Sequence, residues 1–91
     1  MPLLIAIDYD STFTADMPMW TRFIDHAVER GHRVVCVTAR RGSMDQKTEM
    51  REALPGSVDV FFAYDRPKRD YMHSVAKLWP DIWIDDTPEG I

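Results

Sequence analysis

The stretch Leu3-Leu4-Ile5-Ala6-Ile7-Asp8-Tyr9-Asp10-Ser11-Thr12 decides the reading of this chain. Its first five residues are a continuous apolar run, the pattern of a strand buried on both faces. The run stops at one carboxylate, and a second follows two residues later.

Outward from this stretch, short apolar runs alternate with amphipathic segments. Asp16 is a helix N-cap, with Pro18 in the first turn, where a missing N–H costs nothing. Trp20, Phe23, Ile24, Ala27 and Val28 then fall on one helical face, and Gly31 marks its end. Val34 to Val37 is a second buried strand, ending at Thr38. Ser43 and Gln46 have capping-box spacing for a second helix that stops at Pro55-Gly56. Val58 to Ala63 is a third strand. Asp65 and Pro67 open a third helix, predicted to bury Tyr71, Met72, Val75, Leu78 and Trp79 and to end at Pro80. Ile82-Trp83-Ile84 is a short fourth strand that runs into Asp85-Asp86. This β-α-β-α-β-α-β alternation predicts a three-layer α/β/α, Rossmann-like parallel sheet formed by residues 1–91 as one domain. Right-handed crossovers limit the topologies, and the usual solution, with strand 1 central, gives the order 3-2-1-4, with the switch point between strands 1 and 4.

Composition narrows the function. The chain has 91 residues, of which 45% are hydrophobic and 29% charged, which suits an ordinary globular domain. No apolar run approaches the ~20 residues of a membrane span, and the N-terminus lacks a basic, signal-like segment. A cytoplasmic protein with no membrane partner is expected. Cys36 is the single cysteine, so neither an internal disulfide nor a cysteine-based zinc site can form. The net charge of −4 argues against a general nucleic-acid or lipid-surface binder. Without the pairs Asp8/Asp10 and Asp85/Asp86, acids and bases balance at 11 each.

Those pairs end strands 1 and 4, which the predicted order makes neighbours. Strand 2 ends in Thr38-Ala39-Arg40-Arg41, and the loop after strand 3 leads to Arg66-Pro67-Lys68-Arg69. Carboxylates, a hydroxyl and bases thus meet on one sheet edge. Two carboxylates ~4 Å apart repel by about 4 kcal/mol at an effective dielectric of ~20, so a cation or protonation must relieve the cluster. Oxygen ligands without His or Cys favour Mg2+, which binds well beside a phosphate. Lys68 lies in a first helical turn, where the macrodipole disfavours a cation, so an anion is expected to share its site.

With these residues in view, the chain resembles the haloacid dehalogenase superfamily. Asp8-Tyr9-Asp10-Ser11-Thr12 looks like its DxDxT motif, and Val37-Thr38-Ala39-Arg40 like its second motif. Lys68 fits the third motif, and Ile84-Asp85-Asp86 resembles the fourth. The resemblance runs from Leu4 to Glu89 and is to short members without a cap domain, of a kind often found in phage and bacterial genomes. It implies a magnesium-dependent phosphatase with an aspartyl-phosphate intermediate. Asp8 would be the nucleophile and Asp10 the acid and base. Thr38 and Lys68 would hold the phosphoryl oxygens. Asp8, Asp85, Asp86 and the main-chain carbonyl of Asp10 would ligate the metal, Asp86 directly or through water. Many members carry Gly where this chain has Ser11, and a fifth strand of larger members is missing. The second departure is expected to favour self-association.

Other residues have plainer readings. Cys36 is a small core residue; His26, His32 and His73 take surface or capping roles; Trp20, Trp79 and Trp83 pack. Arg40, Arg41, Arg66 and Arg69 are either solvated loop charges or a rim that attracts polyanionic substrates. With no room for a cap between strands 1 and 2, an open site is expected. Its substrate would be a phosphorylated small molecule, a nucleotide, a nucleic-acid phosphate end or a sugar phosphate. The competing reading is a non-catalytic module that binds a phosphorylated ligand, with a phosphoacceptor receiver as a variant. A receiver fits poorly, because its phosphorylated aspartate would end strand 3, where this chain has Ala63-Tyr64-Asp65.

Overall fold

Four apolar runs form the strands β1 (Leu4–Ile7), β2 (Arg33–Thr38), β3 (Asp59–Phe62) and β4 (Ile82–Ile84) of a computed structural model that describes residues 1–91. All pairings are parallel, and the order is β3-β2-β1-β4, the expected one with strand 1 central. The register sets Ile7 beside both Cys36 and Ile84. Asp8, Val37 and Asp85 therefore follow at one level along three adjacent strands. The helices are α1 (Met17–Glu29), α2 (Met44–Ala53) and α3 (Lys68–Tyr71). The radius of gyration, 12.2 Å, is what a compact fold of this length requires, about 12 Å.

Strand alternation divides the core in two. Ile5, Ile7, Val34 and Cys36 pack with Ile24 and Ala27 of α1 and Met50 of α2. Ala6, Val35 and Val37 pack with Ala63 and Met72, and with the half-buried Tyr71, Leu78 and Trp83. Each fully buried Ile or Met contributes roughly 1.5–3 kcal/mol of burial free energy.

Local signals account for the helix ends. The Asp16 side chain accepts the Met19 N–H at 3.2 Å, and Gly31 takes φ +90° just past α1. Ser43 and Gln46 complete the capping box of α2. At the base of the sheet, His32 Nδ1 accepts the Leu3 N–H at 2.9 Å and Asp81 accepts the Leu4 N–H at 2.8 Å. No helix is long and apolar enough to cross a membrane.

Two helices depart from expectation. In α1 only Ile24 and Ala27 are buried, while Phe23 and Val28 are 37% and 38% exposed. At 100° per residue these two lie on opposite borders of the apolar stripe, so packing on the stripe's centre leaves them at the rim. The third helix is shorter than predicted. α3 passes into a single π turn, Met72–Ala76, and Lys77 adopts φ +57°, which ends the helix before Pro80. The Leu78 N–H bonds back to the Met72 carbonyl, turning Leu78 inward, and Val75 and Trp79 are exposed instead of buried. Trp79 stacks on His73, with ring centroids 5.7 Å apart.

Gly42, at φ +88°, lets the loop after β2 lie against the Phe62 ring, where a Cβ would come within 2.8 Å of Cγ. Gly42→Ala is expected to cost about 1–3 kcal/mol in urea unfolding, from backbone strain and overpacking together. The Cys36 thiol is pushed up to about 12, by burial first and by the Asp8 charge second. The unfolded thiol ionises first, near its ordinary value of 9.0, so the folded state binds more protons between there and about 12. Its stability contribution is therefore full below pH 9 and is lost as pH rises toward 12. The free energy of urea unfolding is expected to fall above pH 9, by up to about 1.4 kcal/mol per pH unit from this group, and less steeply in Cys36→Ala.

Candidate active site

The backbone beyond β1 builds the site by folding back on itself. The Asp8 N–H donates to the Ile84 carbonyl at 2.9 Å, which extends the β1–β4 pairing by one step. Phe13 donates to the Asp8 carbonyl, and Thr12 and Thr14 to that of Tyr9. Ser11, at φ +60°, makes this return possible, and its N–H donates to Thr14 Oγ1 at 3.0 Å. The turn sends Thr12 back beneath Asp8 and sends Asp10 out to solvent.

Lys68 is the centre of what results. Its Nζ donates to Asp8 Oδ1 at 2.9 Å and to Asp85 Oδ2, and all three side chains are at least nine-tenths buried. Thr12 Oγ1 lies 3.3 Å from Asp8 Oδ2 and donates to Asp86 Oδ1 at 3.0 Å. It also accepts the Asp86 N–H at 3.2 Å. Asp85 Oδ1 accepts the Thr87 N–H at 2.9 Å, which fixes the second oxygen of that carboxylate. Asp8, Asp85 and Asp86 can each offer an oxygen, all within 4.8 Å of one another.

The charges tune each other. Burial raises the Asp8 pKa above its ordinary value, against the opposing pull of Lys68. Burial alone would lower that of Lys68, but its bonds to Asp85 and Asp8 outweigh burial and raise it. Lys68 is therefore held charged. The Thr12 hydroxyl holds Asp86 below the usual carboxylate value.

The anion expected beside Lys68 is thus provided within the chain, by Asp8 and Asp85. The remaining expected site residues lie around this cluster. Asp10 points to Arg40, whose Nε and Nη2 grip both its oxygens at 2.9 and 2.7 Å. Arg40 also pairs with Glu49 at 3.1 Å and lies over the Tyr9 ring, 5.0 Å from its centroid. The Asp10 carboxylate is therefore not a member of the acidic cluster. Thr38 is fully buried, and its hydroxyl accepts the Arg40 N–H at 3.2 Å. Arg41 turns the other way, onto Tyr64 beyond β3. Of the four arginines read as a rim, Arg66 pairs at 3.7 Å with Asp70, and Arg69 lies over the Trp83 ring. Thr12 joins the site with no sign in the sequence beyond its place in the Asp8–Thr12 motif. The four-residue step from Asp8 to Thr12 across a tight turn was the available signal.

No protein-family model, curated protein or solved structure matches this chain.

Removing the ammonium should expose the dependence of the cluster on it. Lys68→Met leaves Asp8 and Asp85 buried without a counter-ion and is expected to cost about 3–5 kcal/mol in urea unfolding at pH 7. Without Lys68, the burial that already raises the Asp8 pKa loses its main opposition, so that pKa climbs further above its unfolded value. The contribution of Asp8 is then present at low pH and lost as pH rises, so the deficit should shrink as pH falls toward 4.

Proposed function

We propose that this chain is a magnesium-dependent phosphohydrolase of the haloacid dehalogenase type. In this reading it is a three-layer, Rossmann-like domain without a cap, acting on a phosphomonoester through an aspartyl-phosphate. The observation that carries the reading is the convergence of Asp8 and Asp85, from the carboxyl ends of adjacent β1 and β4, on the ammonium of Lys68. This is the crevice where ligands of open parallel sheets bind. The donor set fits a hard divalent cation, because Asp8, Asp85 and Asp86 offer only oxygens and carry three negative charges against one ammonium. Asp8, Asp85 and Asp86 would hold the ion, joined by the Asp10 carbonyl. Bound there, magnesium would neutralise the carboxylates and polarise the phosphoryl group.

The chain's own residues divide the remaining work. An Asp8 oxygen attacks phosphorus, forming the Asp8–phosphorus bond as the bond to the leaving oxygen breaks. Asp10 gives that oxygen its proton. Asp10 then takes a proton from the water that attacks phosphorus, which frees Asp8 and releases inorganic phosphate. Asp10 must leave the Arg40 pair to reach either proton. Lys68 meets the transferring oxygens with the same donors that now serve Asp8 and Asp85. The Thr38 hydroxyl, accepting from Arg40, keeps its own proton to donate to a phosphoryl oxygen.

The hold of Arg40 on Asp10 favours a second reading, a phospho-ligand binding module in which the second acid has no chemical task. Phosphate release from an aryl phosphate separates the two. Magnesium-dependent turnover is expected, falling to background in Asp8→Asn and by about 10²–10⁴-fold in Asp10→Asn. Full activity in Asp8→Asn would overturn the phosphohydrolase. Substoichiometric release with tight ligand retention would establish the binding module.

A further inference from the structure

Beyond β3, the chain spends conformational strain on an exposed aromatic ring. Tyr64 is held at φ +56°, a left-handed conformation rare for a bulky residue, and is 48% exposed. Arg41 lies across it, with Cζ 4.8 Å from the ring centroid and Nη2 donating to the hydroxyl. Strained conformations persist where the surroundings impose them, and they concentrate at ligand clamps. Here Gly42 seats the Arg41 loop against Phe62, two residues before Tyr64.

The position of this pair gives it a use. Arg40 reaches back over Tyr9 to grip Asp10, and Arg41 reaches forward to Tyr64. The dipeptide therefore bridges the carboxyl edge of the sheet from the loop after β1 to the loop after β3. β2 separates those strands, so the strands that feed the two loops lie two spacings, about 10 Å, apart. This suits the reach from the phosphate of a nucleotide to its base. A sugar has no π face to stack on a ring or a guanidinium, whereas every nucleobase does.

We propose that Tyr64 and Arg41 form a stacking platform for the base of a nucleoside monophosphate whose phosphate lies at Asp8 and Lys68. The phosphate end of the proposal rests on the phosphohydrolase reading; the platform has its own test. Adenosine 5′-monophosphate and ribose 5-phosphate are titrated by calorimetry, in magnesium buffer, into the wild type, Tyr64→Gly and Tyr64→Phe. Glycine adopts φ +56° without strain, so Tyr64→Gly removes the ring and spares the fold. The wild type is expected to bind the nucleotide at least about tenfold more tightly than the sugar phosphate. Tyr64→Gly should abolish that preference with the ribose 5-phosphate Kd unchanged, and Tyr64→Phe should retain most of it. Equal affinities in the wild type, or a preference that survives Tyr64→Gly, would overturn the platform. Phosphate release is read in the same samples. Tyr64-dependent binding without release supports the platform and overturns only the phosphohydrolase, whereas release without Tyr64 dependence does the reverse. A 5′-phosphorylated tetranucleotide supports a strand end as the source if it binds more tightly than the mononucleotide and loses this in Tyr64→Gly. Weaker binding supports the free nucleotide.

Discussion

One ammonium group between two buried carboxylates is the contact on which this site depends. Asp8 and Asp85 come from strands that pair side by side, so the sheet itself forces their charges together. At ~4 Å two such charges cost about 4 kcal/mol at an effective dielectric of ~20, before any cost of desolvation. Lys68 Nζ relieves this by bonding to both. The lysine in turn accepts an unfavourable position, in the first turn of α3, where the helix dipole opposes a cation. Two close anions outweigh a half-charge of helix dipole, and a helix of only four residues before the π turn has a small dipole to oppose them.

The loops follow from that contact. For Lys68 to point at β1 and β4, the chain must turn back over the sheet soon after β3. Pro67 starts α3 immediately before the lysine, and the left-handed Tyr64 redirects the backbone three residues earlier. On the other side, Ser11 turns the β1 loop so that Thr12 faces Asp8 and Asp86. One hydroxyl there touches two carboxylates and accepts a backbone N–H, so both its donor and its acceptor character are used. Two of the three non-glycine left-handed residues in the chain, Ser11 and Tyr64, thus border the same edge.

Much of this was legible in the sequence because the signals were local or dictated by chirality. Runs such as Val34 to Val37 read as strands because burial on both faces demands unbroken apolar residues. The order 3-2-1-4 is the usual arrangement with strand 1 central among those that right-handed crossovers allow, and it carries Asp8 and Asp85 to neighbouring strand ends. What was not legible depended on distant partners. Nothing around Asp10 announces Arg40, thirty residues away. The helical period of Val75 and Trp79 continued past Ala76, but the return bond from Leu78 to Met72 ended the helix there. The second carboxylate that Thr12 meets, Asp86, is 74 residues away in the chain.

The two cations of the edge also show why lysine and arginine are not interchangeable here. Lys68 enters a space lined by side chains that are nine-tenths buried or more, where a compact ammonium can bond to carboxylates arriving from different strands. A planar guanidinium is bulkier and fits a single carboxylate edge-on. That is what Arg40 does, taking Asp10 with two parallel bonds while its flat face rests on Tyr9. The four strand-end acids are therefore sorted by geometry into two sets. Asp8, Asp85 and Asp86 form a cluster around a point charge, rich in oxygen ligands. Asp10 is set apart in an exposed, bidentate pair. In the proposed phosphohydrolase this separation would keep Asp10 out of the ion's carboxylate ligand set, so that once it leaves Arg40 it could exchange a proton while the clustered carboxylates hold the ion.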